Sequence, residues 1–100
     1  MRESTNVLEG VSLNSLHAGS VIEVDTINTH YRIEYLGENA GRISGHPQLC
    51  PRPMLVEIQG SIGDSIQEGF IGQGMHLIFR RVDDARPITT SEITGVRVAA

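Results

Sequence analysis

The sequence predicts an all-β protein, a small single-domain barrel or roll of six to seven short, mainly antiparallel strands. Three observations support this prediction. Ile, Val and Thr form a quarter of the 100 residues, and β-branched side chains favour pleated surfaces. Apolar and polar residues alternate in several runs, which turn-forming residues separate about every ten positions. Only four residues are aromatic, so the core of this one domain is expected to be thin and aliphatic.

The N-terminal part divides into a tail and the start of the barrel. Residues 1–6 are polar, and we expect a flexible tail there, followed by a single β-barrel domain over residues 7–100. Apolar residues in the segment 7–16 have mixed spacing. This segment is therefore either an edge strand or a short helical turn, and both alternatives stay open.

The clearest strand signal is a hairpin in the first half of the chain. Residues 21–26 alternate between apolar and polar side chains, and after a short polar break residues 30–35 alternate in the same way. Two such runs joined by a short break predict a β-hairpin. In this pairing Arg32 is expected to lie opposite Glu23 or Asp25.

Further strands are predicted on both sides of a proline-rich loop. Residues 37–41 contain two glycines and predict a turn, followed by a short strand at 42–44. The loop 45–53 holds three of the four prolines and the only cysteine, and the alternating residues 54–59 predict the next strand. Because proline lacks an N–H and restricts the residue before it, we expect the loop to be a rigid, extended, mostly exposed bridge.

The C-terminal part predicts the end of a small barrel. The expected elements are a strand at 75–80, a turn at 83–87, a short strand at 88–90, one 3₁₀ turn near 90–93 and a last strand at 96–98. This order, over Met75 to Val98, resembles the end of a small Src-homology-type barrel. The resemblance is one of fold pattern, and it implies that the sheet closes on itself.

Composition and charge argue against several classes of protein. The formal net charge is −4, and the eight basic residues, all arginines, form no run longer than two, so nucleic-acid binding ranks last. One cysteine excludes an internal disulfide. No apolar run follows a basic start, and no apolar stretch approaches the length of a membrane span. We therefore expect a soluble, cytoplasmic protein without membrane association.

The proline-rich loop contains the candidate binding residues His46, Leu49, Cys50 and Arg52. A histidine and a cysteine on one loop can ligate zinc or form a thiolate–imidazole pair. Zinc needs further ligands from other strands, and a reactive thiolate needs nearby positive charge, for which Arg52 is the candidate. We favour the simpler interpretation that Cys50 is a buried apolar residue and Leu49 a plug, while the prolines stiffen the connection.

Three other segments have weaker chemical alternatives. The glycine-rich residues 69–74 precede a strand, not a helix, so we expect turns or bulges with Phe70 and Ile71 packed into the barrel end, not a phosphate site. The pair Asp83–Asp84 is expected in a solvated turn, not as an acid–base or metal site. The hydroxyls of residues 89–91 are expected to end a strand and cap a turn.

These observations predict a small non-enzymatic β-barrel that acts as a binding or self-association module. No catalytic set is assembled and no cofactor is predicted. The expected partner is another protein or a second copy, with a small ligand as a further option. Leu55 and Ile78 lie on nominally outer faces, which favours a homo-oligomer. The alternative is a metal-binding or thiol-dependent enzyme module centred on His46 and Cys50.

Overall fold

The computed structural model describes residues 9–99, which form an all-β structure around a closed barrel. Its strands are β1 (Gly10–Ser12), β2 (Val21–Thr26), β3 (His30–Gly37), β4 (Ala40–Ser44), β5 (Met54–Ile62), β6 (Ile66–Glu68), β7 (Phe70–Gly72), β8 (His76–Arg81) and β9 (Ile88–Ala99). Six antiparallel strands follow one another in the order β4-β3-β2-β9-β8-β5, and β5 pairs with β4 to close the barrel. The predicted fold class is therefore confirmed.

The strands outside the barrel lie at its margins. β6 pairs with β5 beyond the part of β5 that meets β4, and β1 pairs with β7 in a separate two-stranded sheet. The segment 7–16 contains both expected alternatives in succession, because a 3₁₀ turn at Leu13–Ser15 follows β1 directly. The predicted tail at residues 1–6, like residues 7 and 8, lies outside the described residues.

The predicted hairpin is formed by β2 and β3. Glu23 is paired with Arg32 in the register, and Arg32 Nη1 lies 3.4 Å from a carboxylate oxygen of Glu23, as the alternation predicts. The turn that follows β3 is also confirmed. It centres on Glu38 and Asn39, whose φ angles of 54° and 65° are those of a tight hairpin turn.

The 3₁₀ turn predicted near residues 90–93 is wrong, because this segment lies within the continuous strand β9. The polar residues there mark the point where β9 changes partner: Glu92 pairs with β8, and Ile93 pairs with β2. Near this point Thr90 Oγ1 accepts a hydrogen bond from the backbone N–H of Leu77 at 3.1 Å. A hydroxyl expected to cap a turn thus satisfies a strand amide where the ladder shifts register.

The core is aliphatic and fills the barrel interior, as expected. Its largest fully buried side chains are Phe79, Leu13, Ile22, Ile33, Ile43, Ile58, Ile71, Leu77 and Ile93. In the glycine-rich segment Ile71 is buried as expected and Phe70 is half-buried, but residues 70–72 form the paired strand β7, so the expectation of turns or bulges is wrong there. Ile78 is only 6% exposed, so its position on an outer face does not provide the apolar surface that was expected of it. Leu55, with 45% of its surface exposed, does provide exposed apolar surface.

Candidate functional site

The candidate site lies at one end of the barrel, where three connections meet. Because neighbouring strands run antiparallel, the connections β2–β3, β4–β5 and β8–β9 all leave the sheet at this end. We call the mouth the part of this end formed by loop 45–53 and turn 82–87, together with the strand residues Tyr31 and Arg81. All four predicted binding residues lie in loop 45–53: His46, Leu49, Cys50 and Arg52.

The first half of the loop is a closed turn, not the extended bridge that was expected. The backbone N–H of Cys50 donates to the carbonyl oxygen of His46 at 3.0 Å, and the N–H of Gly45 donates to the carbonyl oxygen of Cys50 at 3.1 Å. His46 Nδ1 accepts hydrogen bonds from the N–H groups of Gln48 and Leu49 at 3.1 and 3.0 Å. These bonds fold the chain back on itself, and a proline at the second turn position suits that geometry.

The turn places two of the predicted residues against the core. Cys50 is 1% exposed and belongs to the buried cluster, and Leu49 packs against that cluster. The His46 ring stacks on Tyr31, with ring centroids 6.2 Å apart, and Tyr31 meets Phe79 edge-on at 6.3 Å. The loop therefore closes this end of the barrel, in agreement with the interpretation of Leu49 as a plug.

The environment of Cys50 favours the neutral thiol. Burial raises the pKa of Cys50, and a contact of the thiol with the backbone of His46 and the charge of Arg81 oppose this only in part. Burial also raises the pKa of Tyr31, and a charge on Cys50 would raise it further. The cation near the thiol is Arg81 and not Arg52, which is exposed. A nucleophilic cysteine needs a lowered pKa and access to solvent, and Cys50 has neither.

The loop histidine is engaged in holding the turn. Because His46 Nδ1 accepts two backbone hydrogen bonds, that nitrogen is not free to bind a metal ion or to take a proton from the thiol. Between residues 9 and 99 no group of three or more His, Cys, Asp or Glu side chains is arranged so that it could hold a metal ion. The structure brings His46 and Cys50 together through their backbones, with no described hydrogen bond between their side chains.

Arg81 is the residue of the mouth that the sequence analysis missed. It pairs with Val56, whose side chain is fully buried, and it continues the inward positions of Leu77 and Phe79 on β8. Its Nε atom is buried without a hydrogen-bond partner, and its Nη2 donates to the carbonyl oxygen of Leu49 over a long 3.4 Å. The signal in the sequence was the alternation of β8, which places the charged Arg81 on the inward face after Leu77 and Phe79.

Arg81 forms no ion pair with a carboxylate of the described residues. Among residues 9–99, Arg32, Arg42, Arg80, Arg86 and Arg97 all form ion pairs with Asp or Glu, whereas Arg81 and Arg52 form none. Asp84 lies in the turn beside Arg81, but its two carboxylate oxygens accept hydrogen bonds from Arg86 Nε and Nη2 at 3.2 and 3.0 Å. These hydrogen bonds, with a smaller contribution from the nearby charge of Arg81, hold the pKa of Asp84 at about 2.

A cavity of about 340 Å³ opens at the mouth. Its lining consists of Arg81, Asp84, Arg86, Pro87 and Ile88. The lining therefore combines three charged side chains with the apolar side chains of a proline and an isoleucine. A second cavity, of about 210 Å³, lies beside β6 away from the mouth and is lined by two glutamates and no arginine. The mouth is thus the place where an unpaired cation borders an open cavity.

The second charged cluster of the described chain lies on the outer face of β2, β3 and β9. His30 contacts Asp25 at 2.5 Å and Glu23 at 2.8 Å, and Arg97 Nη1 lies 2.8 Å from Asp25. Hydrogen bonds from His30 and Arg97 lower the pKa of Asp25. Positive and negative groups pair within this cluster, so it leaves no excess charge for a ligand, and it is best described as cross-strand surface pairing.

Comparisons of this chain with protein-family models, with curated proteins and with solved structures found no match. Residues 9–99 contain no helix with the length and apolar character needed to cross a bilayer.

Proposed function

We propose that this protein is a non-enzymatic binding module and that the mouth of the barrel is its binding end. One observation carries the proposal: Arg81 occupies an inward position, has no carboxylate partner among the described residues, and borders an open cavity. A buried polar group without a partner costs stability, and such groups in native proteins often serve a ligand.

The rest of the mouth supports a binding role. Its loop is held by hydrogen bonds and proline, so little conformational entropy is lost when a partner binds. Its three arginines and two aspartates leave a net charge of +1, whereas the whole chain carries −4. Ile27 and Val82, which are 65% and 56% exposed, add apolar surface at the same end of the barrel.

Mapping of small probe molecules tests this proposal. Backbone amide shifts of ¹⁵N-labelled protein are recorded separately with acetate, imidazole, N-methylacetamide and isopropanol. We expect shifts that saturate with concentration in residues 46–52 and 81–88. Shifts that concentrate instead at residues 38–39 and 66–68, which border the second cavity, would place the binding end elsewhere and contradict the proposal.

Self-association is the second candidate function, and one surface favours it. Val56 and Arg81 form the last pair of the β5–β8 register. Leu55 precedes Val56 on β5, and Val82 follows Arg81 just after the end of β8, so both continue the outward alternation. Both side chains are about half exposed. Sedimentation at several concentrations tests this function. Dimer formation that is lost in Leu55→Ser but kept in Ile66→Ser, an equally exposed site on β6, would support it.

A further inference from the structure

The chemistry around Arg81 identifies the kind of ligand that fits the mouth. Its Nε atom has no partner, its Nη2 makes one long hydrogen bond, and no described hydrogen bond involves its Nη1. A guanidinium group is a planar set of N–H donors that matches the oxygens of an oxyanion. Because Arg81 is charged and forms no ion pair among the described residues, the acceptor that suits it best carries a negative charge.

The other charges of the cavity restrict the charge of that acceptor. Arg86 and Asp84 neutralise each other through two hydrogen bonds, which leaves the single positive charge of Arg81. A carboxylate carries one negative charge and balances it. A phosphate dianion would bring a second negative charge close to the ionised Asp84, and like charges at short range are unfavourable.

The apolar part of the lining restricts the rest of the ligand. Pro87 and Ile88 line the same cavity as the charged groups, and its volume of about 340 Å³ is at the small end of ligand sites. A short aliphatic stem would bury its surface against these two side chains while its carboxylate faces Arg81.

We propose that the mouth binds a carboxylate with a short aliphatic stem, with Arg81 as the anion-binding residue and Pro87 and Ile88 as the contact for the stem. This proposal rests on the proposed function of the mouth as the binding end. The carboxylate belongs either to a small organic acid or to the C-terminus of a peptide, because both present the same group on an aliphatic carbon.

Titration of the full chain with butyrate tests the proposal directly. The Arg81 Nε–H signal and the amides of residues 81–88 are followed by ¹⁵N NMR at constant ionic strength. We expect saturable shifts with a dissociation constant in the millimolar range, the range of a single charged contact in water. Acetate is expected to bind several-fold more weakly because it lacks the stem, and phosphate more weakly than butyrate.

Two controls separate charge recognition from other effects. Butyramide has the shape of butyrate without its charge, and we expect it to cause no saturable shift in the unmodified protein. Arg81→Met is expected to abolish butyrate binding, whereas Arg42→Met, which removes an exposed arginine paired with Glu34, is expected to retain it. The butyramide comparison needs no variant, so it decides the question even if Arg81→Met does not fold.

The source of the carboxylate is identified in the same assay. N-acetyl-Ala-Ala with a free C-terminus is compared with its C-terminal amide and with butyrate. Tighter binding of the free-acid peptide than of butyrate indicates a peptide C-terminus, and the reverse order indicates a small organic acid; both support the proposal. Equal binding of butyrate and butyramide, tighter binding of phosphate, or retained binding in Arg81→Met would overturn it. If probes still map to the mouth without regard to charge, the proposed function stands and only the carboxylate inference fails.

Discussion

Arg81 Nη2 donates a hydrogen bond to the carbonyl oxygen of Leu49 at 3.4 Å, which joins the end of β8 to the loop that closes the barrel. The length of this bond makes it weak, and the neighbouring Nε atom has no partner. We infer that Arg81 contributes little to folding stability.

Replacement of Arg81 by methionine tests this inference. Met keeps the packing of the long stem and removes the unpaired polar atom, so we expect the free energy of unfolding to stay unchanged or to rise by up to about 1 kcal/mol. Urea unfolding of the ligand-free protein measures it. Arg80→Met, which breaks the 2.7 Å ion pair with Glu57, is the matched control, and a loss of a few tenths of a kcal/mol is expected there. A loss above about 1 kcal/mol in Arg81→Met would mean that the bond to Leu49 holds the loop in place.

Gly45 starts the mouth loop in a conformation that other residues rarely adopt. Its φ is +120°, and a Cβ atom added there would lie 2.2 Å from the carbonyl oxygen of His30. We expect Gly45→Ala to lower the free energy of unfolding by more than about 2 kcal/mol, because both the backbone angle and the contact are unfavourable. Gly19 also has a positive φ, +98°, but the space around an added Cβ atom is open. We therefore expect Gly19→Ala to lower the free energy of unfolding by only about 1 kcal/mol. Thermal or urea unfolding measures both variants. An equal loss of unfolding free energy in Gly45→Ala and Gly19→Ala would show that the contact with His30 relaxes without cost.

Cys50 is expected to react slowly with thiol reagents. Burial of the side chain raises its pKa and blocks access, so the rate with Ellman's reagent at neutral pH should be at least about tenfold below that of free cysteine. In urea the rate should rise to that of the free amino acid. An introduced cysteine, Ile66→Cys in a Cys50→Ser background, is an exposed control that should react at nearly the free rate. A folded-state rate for Cys50 above that of free cysteine would revive the thiol-dependent alternative.

Asp25 is expected to make stability depend on pH in the acid range. Hydrogen bonds from His30 and Arg97 lower the pKa of its carboxyl group below 3.8 in the folded state. The stabilisation is therefore complete above the unfolded pKa and is lost as the pH falls through the folded pKa. Because the carboxylate is partly exposed, we expect Asp25→Asn to cost less than about 1 kcal/mol near neutral pH and to cost less near pH 2 than near neutral pH. Urea unfolding of both proteins at each pH measures this difference in the free energy of unfolding. If Asp25→Asn cost as much at the lower pH as near neutral pH, the loss of stability would come from packing and not from the charge of the carboxylate.

Much of the strand structure was predictable from local alternation. In β3 the side chains of Tyr31, Ile33 and Tyr35 are all buried, and the intervening residues are exposed, as period-two patterning requires. The pairing of Glu23 with Arg32 followed from the same pattern, since a short connection restricts the register of a hairpin. These predictions depend on residues close together in the chain.

The prediction of a 3₁₀ turn near residues 90–93 was wrong because this segment pairs with two strands that are distant in the sequence. The residues around Thr90 look like a strand end and a cap, yet they belong to one strand that passes from β8 to β2. Nothing in the local sequence states which strands will flank a segment, because that depends on closure of the whole barrel. The same limit applies to Ile78, which alternation assigns to an outer face but which is buried in the folded chain.

The sequence by itself determined the class of fold and the inward or outward direction of most strand residues, because side chains in a strand alternate with period two whatever the strand packs against. It also singled out loop 45–53 through its prolines and its only cysteine. Only the tertiary structure decided what that loop does: it folds into a closed turn, buries Cys50, and lies beside Arg81, which is 31 residues further along the chain than Cys50. The physical reason is that burial and the balance of charge at the mouth arise from contacts between distant segments, which exist only once the barrel has closed.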